Sequence, residues 1–452
     1  MSLPVKASIA FMICSFLQRG ISVLTTPIFT RILTTQEYGY FSIFNSWLDI
    51  ISVFTTLKLG GAVFTQALVK FDKQQDELAT STAGLGTFLT IICIVIYWPF
   101  RNYINNLLNM STLIMMSIFI PSWATLIFEL WASKERVEYR YKSLIIITII
   151  TSILKPVIGI VAILLTNNYK AEARILSLVF VELICYIWLF ISFLKKDKRL
   201  YNKKFWKYSL SLNVPLIPHY LTRTVLNQCD RLMISSMVGY ATAGIYSLAH
   251  NLSWLLTLIT NSILSTFNPW IYKRIKNNEL GQIGKVSYSI LIGVAICGLL
   301  LISVAPEIVT IFAPKSYQDA IWIIPPLTIS VYFLFMYRLF ADFEFYFEKT
   351  NFIMLASISG GIINIVLNYY FIKKFGFLAA GYTTLFCYFY YALLHYIFMK
   401  KIIKHKLENY KVYDLKKLIL ISLVYIILSC IMMITYKYIL IRYLLVICLL
   451  IY

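Results

Sequence analysis

Twelve charged side chains stand inside stretches of this sequence that are otherwise too apolar to hold them. The cations are Arg19, Lys58, Lys155, Arg223, Arg231 and Arg338; the acids are Asp49, Glu129, Glu182, Asp230, Asp342 and Glu344. On the insertion scale a charge at the centre of a membrane helix costs about 2.5–3.5 kcal/mol, so each needs a compensating role. Arginines at that depth can hold a diphosphate through charge-assisted, bidentate hydrogen bonds, whereas lysine supplies a point charge and can snorkel to the interface. Arg19 and Arg223 occupy similar depths in the first and seventh apolar stretches, and with Lys58 and Lys155 they are candidate ligands for a phosphate-bearing substrate. The alternative is that each arginine ties its own helix bundle together by pairing with an acid such as Asp49 or Asp230. Asp230, Asp49 and Glu182 are candidates for a coupling proton or cation, because burial disfavours the charged carboxylate and links protonation to conformation. An inter-helix hydrogen bond is the competing role. Arg338 lies near a helix end, where it is expected to touch headgroups or to form a gate pair with Asp342. Asp230 and Arg231 are adjacent, so they project about 100° apart on a helix and cannot satisfy one another.

Pro215 and Pro218 stand three apart in the seventh stretch, beside Asn213 and His219. Both lack a backbone donor, so a kink usable as a gate or hinge is expected there. His219, His250 and His395 have no metal-site spacing and are read as hydrogen-bonded core or cleft residues; no metal and no cofactor is expected. Most of the 33 Tyr, 31 Phe and 9 Trp are assigned to interfacial belts and lipid-facing surface, with Trp47, Trp254 and Trp270 as candidates for stacking on sugar rings. Gly60-Gly61 and Gly360-Gly361 are expected to permit close helix packing rather than to bind phosphate. The eight cysteines fall in apolar stretches with no CxxC pair and are read as small core residues.

The elements that carry these residues are long apolar segments. Hydrophobic residues make up 60% of the 452 and charged ones 13%. Fourteen segments are placed at 4–30, 38–69, 78–100, 111–131, 143–165, 171–194, 208–238, 241–270, 284–312, 320–341, 352–372, 377–399, 418–436 and 438–452. Most reach the ~20 residues a spanning helix needs; the last is marginal. The fold class is therefore an all-α polytopic membrane protein of about 14 transmembrane helices. Lys and Arg concentrate in the even-numbered connections, seven between Lys195 and Lys207 and seven between Lys400 and Lys417. Arg174 is counted among the few cations of the odd ones. The positive-inside rule then places both termini in the cytoplasm, and it explains the +21 net charge without nucleic acid. The two basic linkers divide the chain into a six-helix lobe at 1–200, a second at 201–400, and a linker with two further helices at 401–452. Gly39-Tyr40-Phe41-Ser42 echoes Gly244-Ile245-Tyr246-Ser247, each after a helix bearing a deep arginine. Two parallel, pseudo-symmetric lobes around a central cleft are the arrangement used for alternating access.

Three motifs give this architecture a family resemblance. Pro27-Ile28-Phe29-Thr30-Arg31-Ile32-Leu33 with Glu37-Tyr38-Gly39 resembles the end of helix 1 in the polysaccharide-repeat-unit (Wzx-like) flippases. These belong to the multidrug/oligosaccharidyl-lipid/polysaccharide exporter superfamily. Asp230-Arg231-Leu232 before Gly244-Ile245-Tyr246-Ser247 is similar to their helix 7–8 signature. Asn364-Ile365-Val366-Leu367-Asn368, with Phe375-Gly376 and Ala379-Ala380-Gly381-Tyr382-Thr383-Thr384, resembles their helix 11–12 segment. The resemblance covers essentially 4–399. It implies a carrier, not an enzyme, that moves undecaprenyl-diphosphate-linked oligosaccharide to the outer leaflet of the bacterial cytoplasmic membrane, coupled to H+ or Na+ or to the membrane potential. Its partners would be that lipid-linked oligosaccharide, membrane lipids and polysaccharide polymerase or export proteins, with no nucleic acid. A multidrug antiporter of the same superfamily is the alternative, mildly disfavoured because the six cations face only about four deep acids, Asp342 and Glu344 lying near a helix end. A membrane-embedded glycosyltransferase or polymerase is a weaker one, for want of a long aqueous loop.

Overall fold

The computed structural model describes residues 3–407 and 410–451, and every regular element among them is helical. In chain order these are α1 (Leu3–Ile32), α2 (Thr35–Thr56), α3 (Ala62–Lys70), α4 (Gln75–Leu108), α5 (Thr112–Val137), α6 (Tyr141–Leu164), α7 (Lys170–Lys196), α8 (Lys203–Asn213) and α9 (Ile217–Met237). There follow α10 (Tyr240–Ser253), α11 (Leu256–Lys276), α12 (Leu280–Ser303), α13 (Ala305–Phe312), α14 (Ala320–Tyr346), α15 (Thr350–Phe375), α16 (Ala379–Lys406), α17 (Leu415–Ile434) and α18 (Ile439–Ile451). Among the described residues nine helical segments are long and apolar enough to cross a membrane. The chain is a polytopic, all-α membrane protein. Each of the fourteen expected segments coincides with a helix or a broken pair of helices. Glu408 and Asn409 of the second basic linker lie outside the described residues.

Four expected segments are broken, two of them at a proline. The second divides into α2 and α3, because Leu57 and Lys58 both take left-handed backbone angles, with φ of 47° and 50°. Gly60 follows, and a Cβ there would collide with Glu129 of α5; the Ser133 hydroxyl of the same helix donates to the Gly60 carbonyl at 3.1 Å. This glycine thus serves close packing, as expected. The seventh segment divides at a 3-10 turn, Val214–Leu216, that contains Pro215. Pro218 is the second residue of α9, where a missing N–H costs nothing. The expected kink is therefore a three-residue 3-10 turn joining α8 to α9. Pro306 sits likewise in the first turn of α13, after the break that ends α12. The eighth segment breaks between α10 and α11 at Trp254 and Leu255, without a proline. At the other helix starts polar side chains take up the orphan donors. Thr34 and Glu37 form a reciprocal capping box on α2, and Ser111, Asn202 and Asp414 cap α5, α8 and α17.

The helices form two compact units, Met1–Val225 and Leu226–Tyr452. In the first, α5 packs against α2, α4 and α7, around a core that includes Leu68, Leu78, Ile127, Leu130 and Phe205. In the second, α14 is the central helix, buried along almost its whole length against α10, α12 and α16. Lipid tails are as apolar as leucine, so close packing and polar contacts hold such helices together rather than withdrawal from water. Rows of apolar side chains accordingly stay exposed, for example Ile91, Val95 and Trp98 on α4 and Leu420, Leu423 and Ile427 on α17. Cys14, Cys229 and Cys387 are buried as expected, but Cys430 and Cys448 lie on exposed faces of α17 and α18.

The first basic linker is strapped down within its own unit. Glu77 at the start of α4 accepts from Asn202 at 2.6 Å and pairs with Arg199 at 3.0 Å, while the Trp206 indole donates to the Ser81 carbonyl at 2.9 Å. Lys134, nearly inaccessible at the end of α5, forms an ion pair with Asp76. Arg199 also bonds Asp197, which holds that carboxyl below its ordinary value of 3.8.

Candidate functional site

Each unit buries a centre built from charged groups. In the first unit it is Arg174, expected as a loop cation but placed within α7 and only 8% exposed. The reason is aromatic cover. Its guanidinium lies 3.7 Å from the ring centroid of Phe29 on α1 and 5.0 Å from that of Phe41 on α2. Desolvated cation–π contacts of this kind contribute about 2 kcal/mol. One guanidinium nitrogen donates to the Lys155 carbonyl of α6 at 3.0 Å, and the absent Cβ of Gly159 leaves the room it needs. Beside it the Lys155 ammonium lies 2.5 Å from Glu182 of α7, whose other oxygen accepts from Thr125 of α5 at 3.5 Å. Sequence reasoning gave Lys155 and Glu182 separate tasks, substrate binding and ion coupling. The fold joins them as an ion pair.

The other candidate residues of this unit are more open. Lys58 donates to Ser52 at 3.1 Å. Asp49 is exposed on α2, and Arg19 and Arg223 extend exposed side chains from α1 and α9. Among the described residues no ion pair of Arg19 or of Arg223 is found.

In the second unit the centre is Asp230 of α9, 5% exposed. Tyr246 of α10 donates to it at 2.6 Å, Asn368 of α15 at 2.6 Å and Thr384 of α16 at 2.5 Å. The Asn368 carbonyl accepts from Thr383, and its amide also reaches Asn364 at 3.2 Å. Three donors converge on one carboxylate, the pattern that satisfies both of its oxygens. Arg231 turns away, as its neighbouring position requires. It bonds Gln228 at 2.8 Å and His250 at 2.7 Å, and the His250 ring stacks on Trp254 with centroids 4.3 Å apart. Arg338 and Asp342 do not form the expected gate pair: Arg338 donates to Asn261 at 2.5 Å, and Asp342 accepts from Tyr272 at 3.4 Å. They are one helical turn apart on α14, and each finds its partner on α11. Among the described residues no group of three or more His, Cys, Asp or Glu could hold a metal ion.

Comparison with known proteins identifies the family and the fold. Residues 5–275 match the model of a family described as polysaccharide biosynthesis protein. The chain belongs to that family. Among curated proteins of Haemophilus influenzae, "Lsg locus putative protein 1" is 19% identical over 79% of this chain and 88% of its own length, and an "Uncharacterized membrane protein" is 22% identical over the same shares. Among solved structures the fold is similar to "Lipid II flippase MurJ, inward closed conformation" (TM-score 0.71, 15% identity, 98% of this chain and 97% of that one). It is also similar to an inward-facing multidrug resistance MATE family transporter of the MOP superfamily (TM-score 0.63, 11% identity, 86% and 95%).

In this family member the residues that carried the resemblance are the ones that gather at the buried centres. Phe29, within the first motif, and Phe41, just after it, cover Arg174; Asp230, Tyr246, Asn364, Asn368, Thr383 and Thr384 come from the other two and form one network. Phe41 and Tyr246 hold equivalent places in the echoed tetrapeptides, and each touches the buried charge of its own unit. Sequence reasoning singled out Asp230 alone. Asn368 and Thr384, being neutral, gave no charge signal; only their place in a quoted motif marked them. Arg174 was missed because it stands four residues from the start of its helix, where a cation looks like part of a loop.

Proposed function

We propose that this protein flips an undecaprenyl-diphosphate-linked oligosaccharide from the cytoplasmic to the outer leaflet of the bacterial cytoplasmic membrane by alternating access, without covalent chemistry. Membership of the polysaccharide biosynthesis family is the observation that carries the reading. The exposed guanidinium groups of Arg19 on α1 and Arg223 on α9 support it, since an anionic diphosphate is the ligand such groups accept best. Lys58 is a further candidate contact, and Pro215 and Pro218 supply the break at which α9 can bend. Coupling is proposed at the Asp230 network, where one carboxylate, two amides and three hydroxyls present oxygens suited to H+ or Na+. Asp49 and the paired Glu182 remain secondary candidates. The test is flipping of lipid-linked oligosaccharide by the purified protein in liposomes, with and without an imposed ion gradient. Liposomes that flip no faster than protein-free ones would reject the function.

A further inference from the structure

Glu344 near the end of α14 has no measurable exposure, and His395 of α16 is 2% exposed. The imidazole Nδ1 lies 2.8 Å from Glu344 Oε1, while Glu344 Oε2 is buried without a hydrogen-bond partner among the described residues. Tyr337, two turns earlier on α14, stacks over the imidazole at 5.0 Å and also meets Tyr391 of α16 at 5.8 Å. The other ionisable groups nearby on α14 are engaged elsewhere, Asp342 with Tyr272 and Arg338 with Asn261. Among the described residues no other charged side chain is hydrogen-bonded or ion-paired to Glu344 or His395. With one proton shared between carboxyl and imidazole the pair is neutral overall. With none or two it would hold a net charge in a site closed to water, which is costly. Glu344 lies two residues before the end of α14, and the turn beyond it carries exposed Glu348 and Lys349. A small parting of α14 from α16 at this end would admit water to the pair.

We infer that Glu344 and His395 form an occluded proton-binding site that holds one proton when α14 and α16 are packed together and exchanges it when they part. The site is separate from the Asp230 network. Its use in transport rests on the flippase reading, but its existence does not. The probe is infrared difference spectroscopy of the full-length protein in lipid as pH is varied. A titrating carboxyl signal should be present in the parent protein, absent from Glu344→Gln, and displaced in pH for His395→Gln. Glu344→Asp, which keeps the acid, should retain a shifted signal and separates loss of the proton site from loss of folding. A pH-difference spectrum of folded Glu344→Gln that superimposes on the parent's would overturn the site. If the site is present and flipping occurs, the pH dependence of flipping should flatten in Glu344→Gln and persist, shifted in pH, in Glu344→Asp. An unchanged profile in both Glu344→Gln and His395→Gln would overturn its role in transport while leaving the flippase reading intact.

Discussion

At the scale of single residues, the exposed and the buried cations make opposite demands. Arg19 and Arg223 are open to a ligand, so Arg19→Ala and Arg223→Ala are each expected to abolish flipping at near-normal protein level. Lysine at either site should recover part of the activity, because it restores the charge but not the bidentate fork. Full activity in both alanine variants would remove the diphosphate clamp. Arg174 faces no such opening, and its loss should appear as instability. A methyl group at Gly159 enters the space the guanidinium fills, so Gly159→Ala should cost roughly 1–3 kcal/mol. Thermal unfolding in detergent would measure it, and the same change in an Arg174→Met background should cost much less, since the two sites are coupled. Asp230→Asn keeps an acceptor for Tyr246 and Thr384 but loses the charge. That variant should fold and bind substrate yet no longer respond to an imposed gradient; a full response would take Asp230 out of the coupling step.

At the scale of elements, the linker after α7 behaves as a strap rather than a tether. Glu77 receives both Arg199 and Asn202, so Glu77→Ala should make the 195–207 segment several-fold more sensitive to trypsin in sealed inside-out vesicles. The Asp197 carboxyl sits below its ordinary value of 3.8, so its bond to Arg199 contributes above that pH and is lost only as pH falls through the lower folded-state value. Trypsin sensitivity should then be flat across neutral and mildly acidic pH. Most of this level was legible in the sequence, because apolar runs, capping residues and prolines act locally. The run lengths gave every segment, and Pro215 marked one of the breaks; Pro306, which opens α13, was not used. The break after Thr56 was hidden: it depends on Gly60 meeting Glu129 some seventy residues on, a long-range contact with no local signature. The same limit explains the sites. Asp230 was visible as a charge in an apolar run, but its partners were not, because nothing in a single sequence pairs residue 230 with 368 or 384. The Lys155–Glu182 bond was missed for the same reason, as was the separation of Arg338 from Asp342.

At the scale of the whole molecule, the distribution of cations sets an orientation that can be tested directly. Asn202 caps α8 and bonds Glu77, so exposed Lys198 and Lys404 are the better labelling positions in the two basic linkers. Cysteines placed there should resist an impermeant reagent in intact cells and react after permeabilisation; labelling from outside would invert the topology. The buried centres also differ in when they can be completed during synthesis. Arg174 enters the bilayer after Phe29 and Phe41 are already made, so its cover awaits it. Asp230 meets Tyr246 within 16 residues, but Asn368 and Thr384 follow 138 and 154 residues later. At about 5–20 residues per second that is a wait of roughly 7–30 s with a carboxyl only partly satisfied in lipid. A ribosome stalled between the two halves would therefore leave a nascent chain whose weakest point is already fixed. Chains truncated after α11 should be cleared by membrane quality control faster than the same truncations carrying Asp230→Asn.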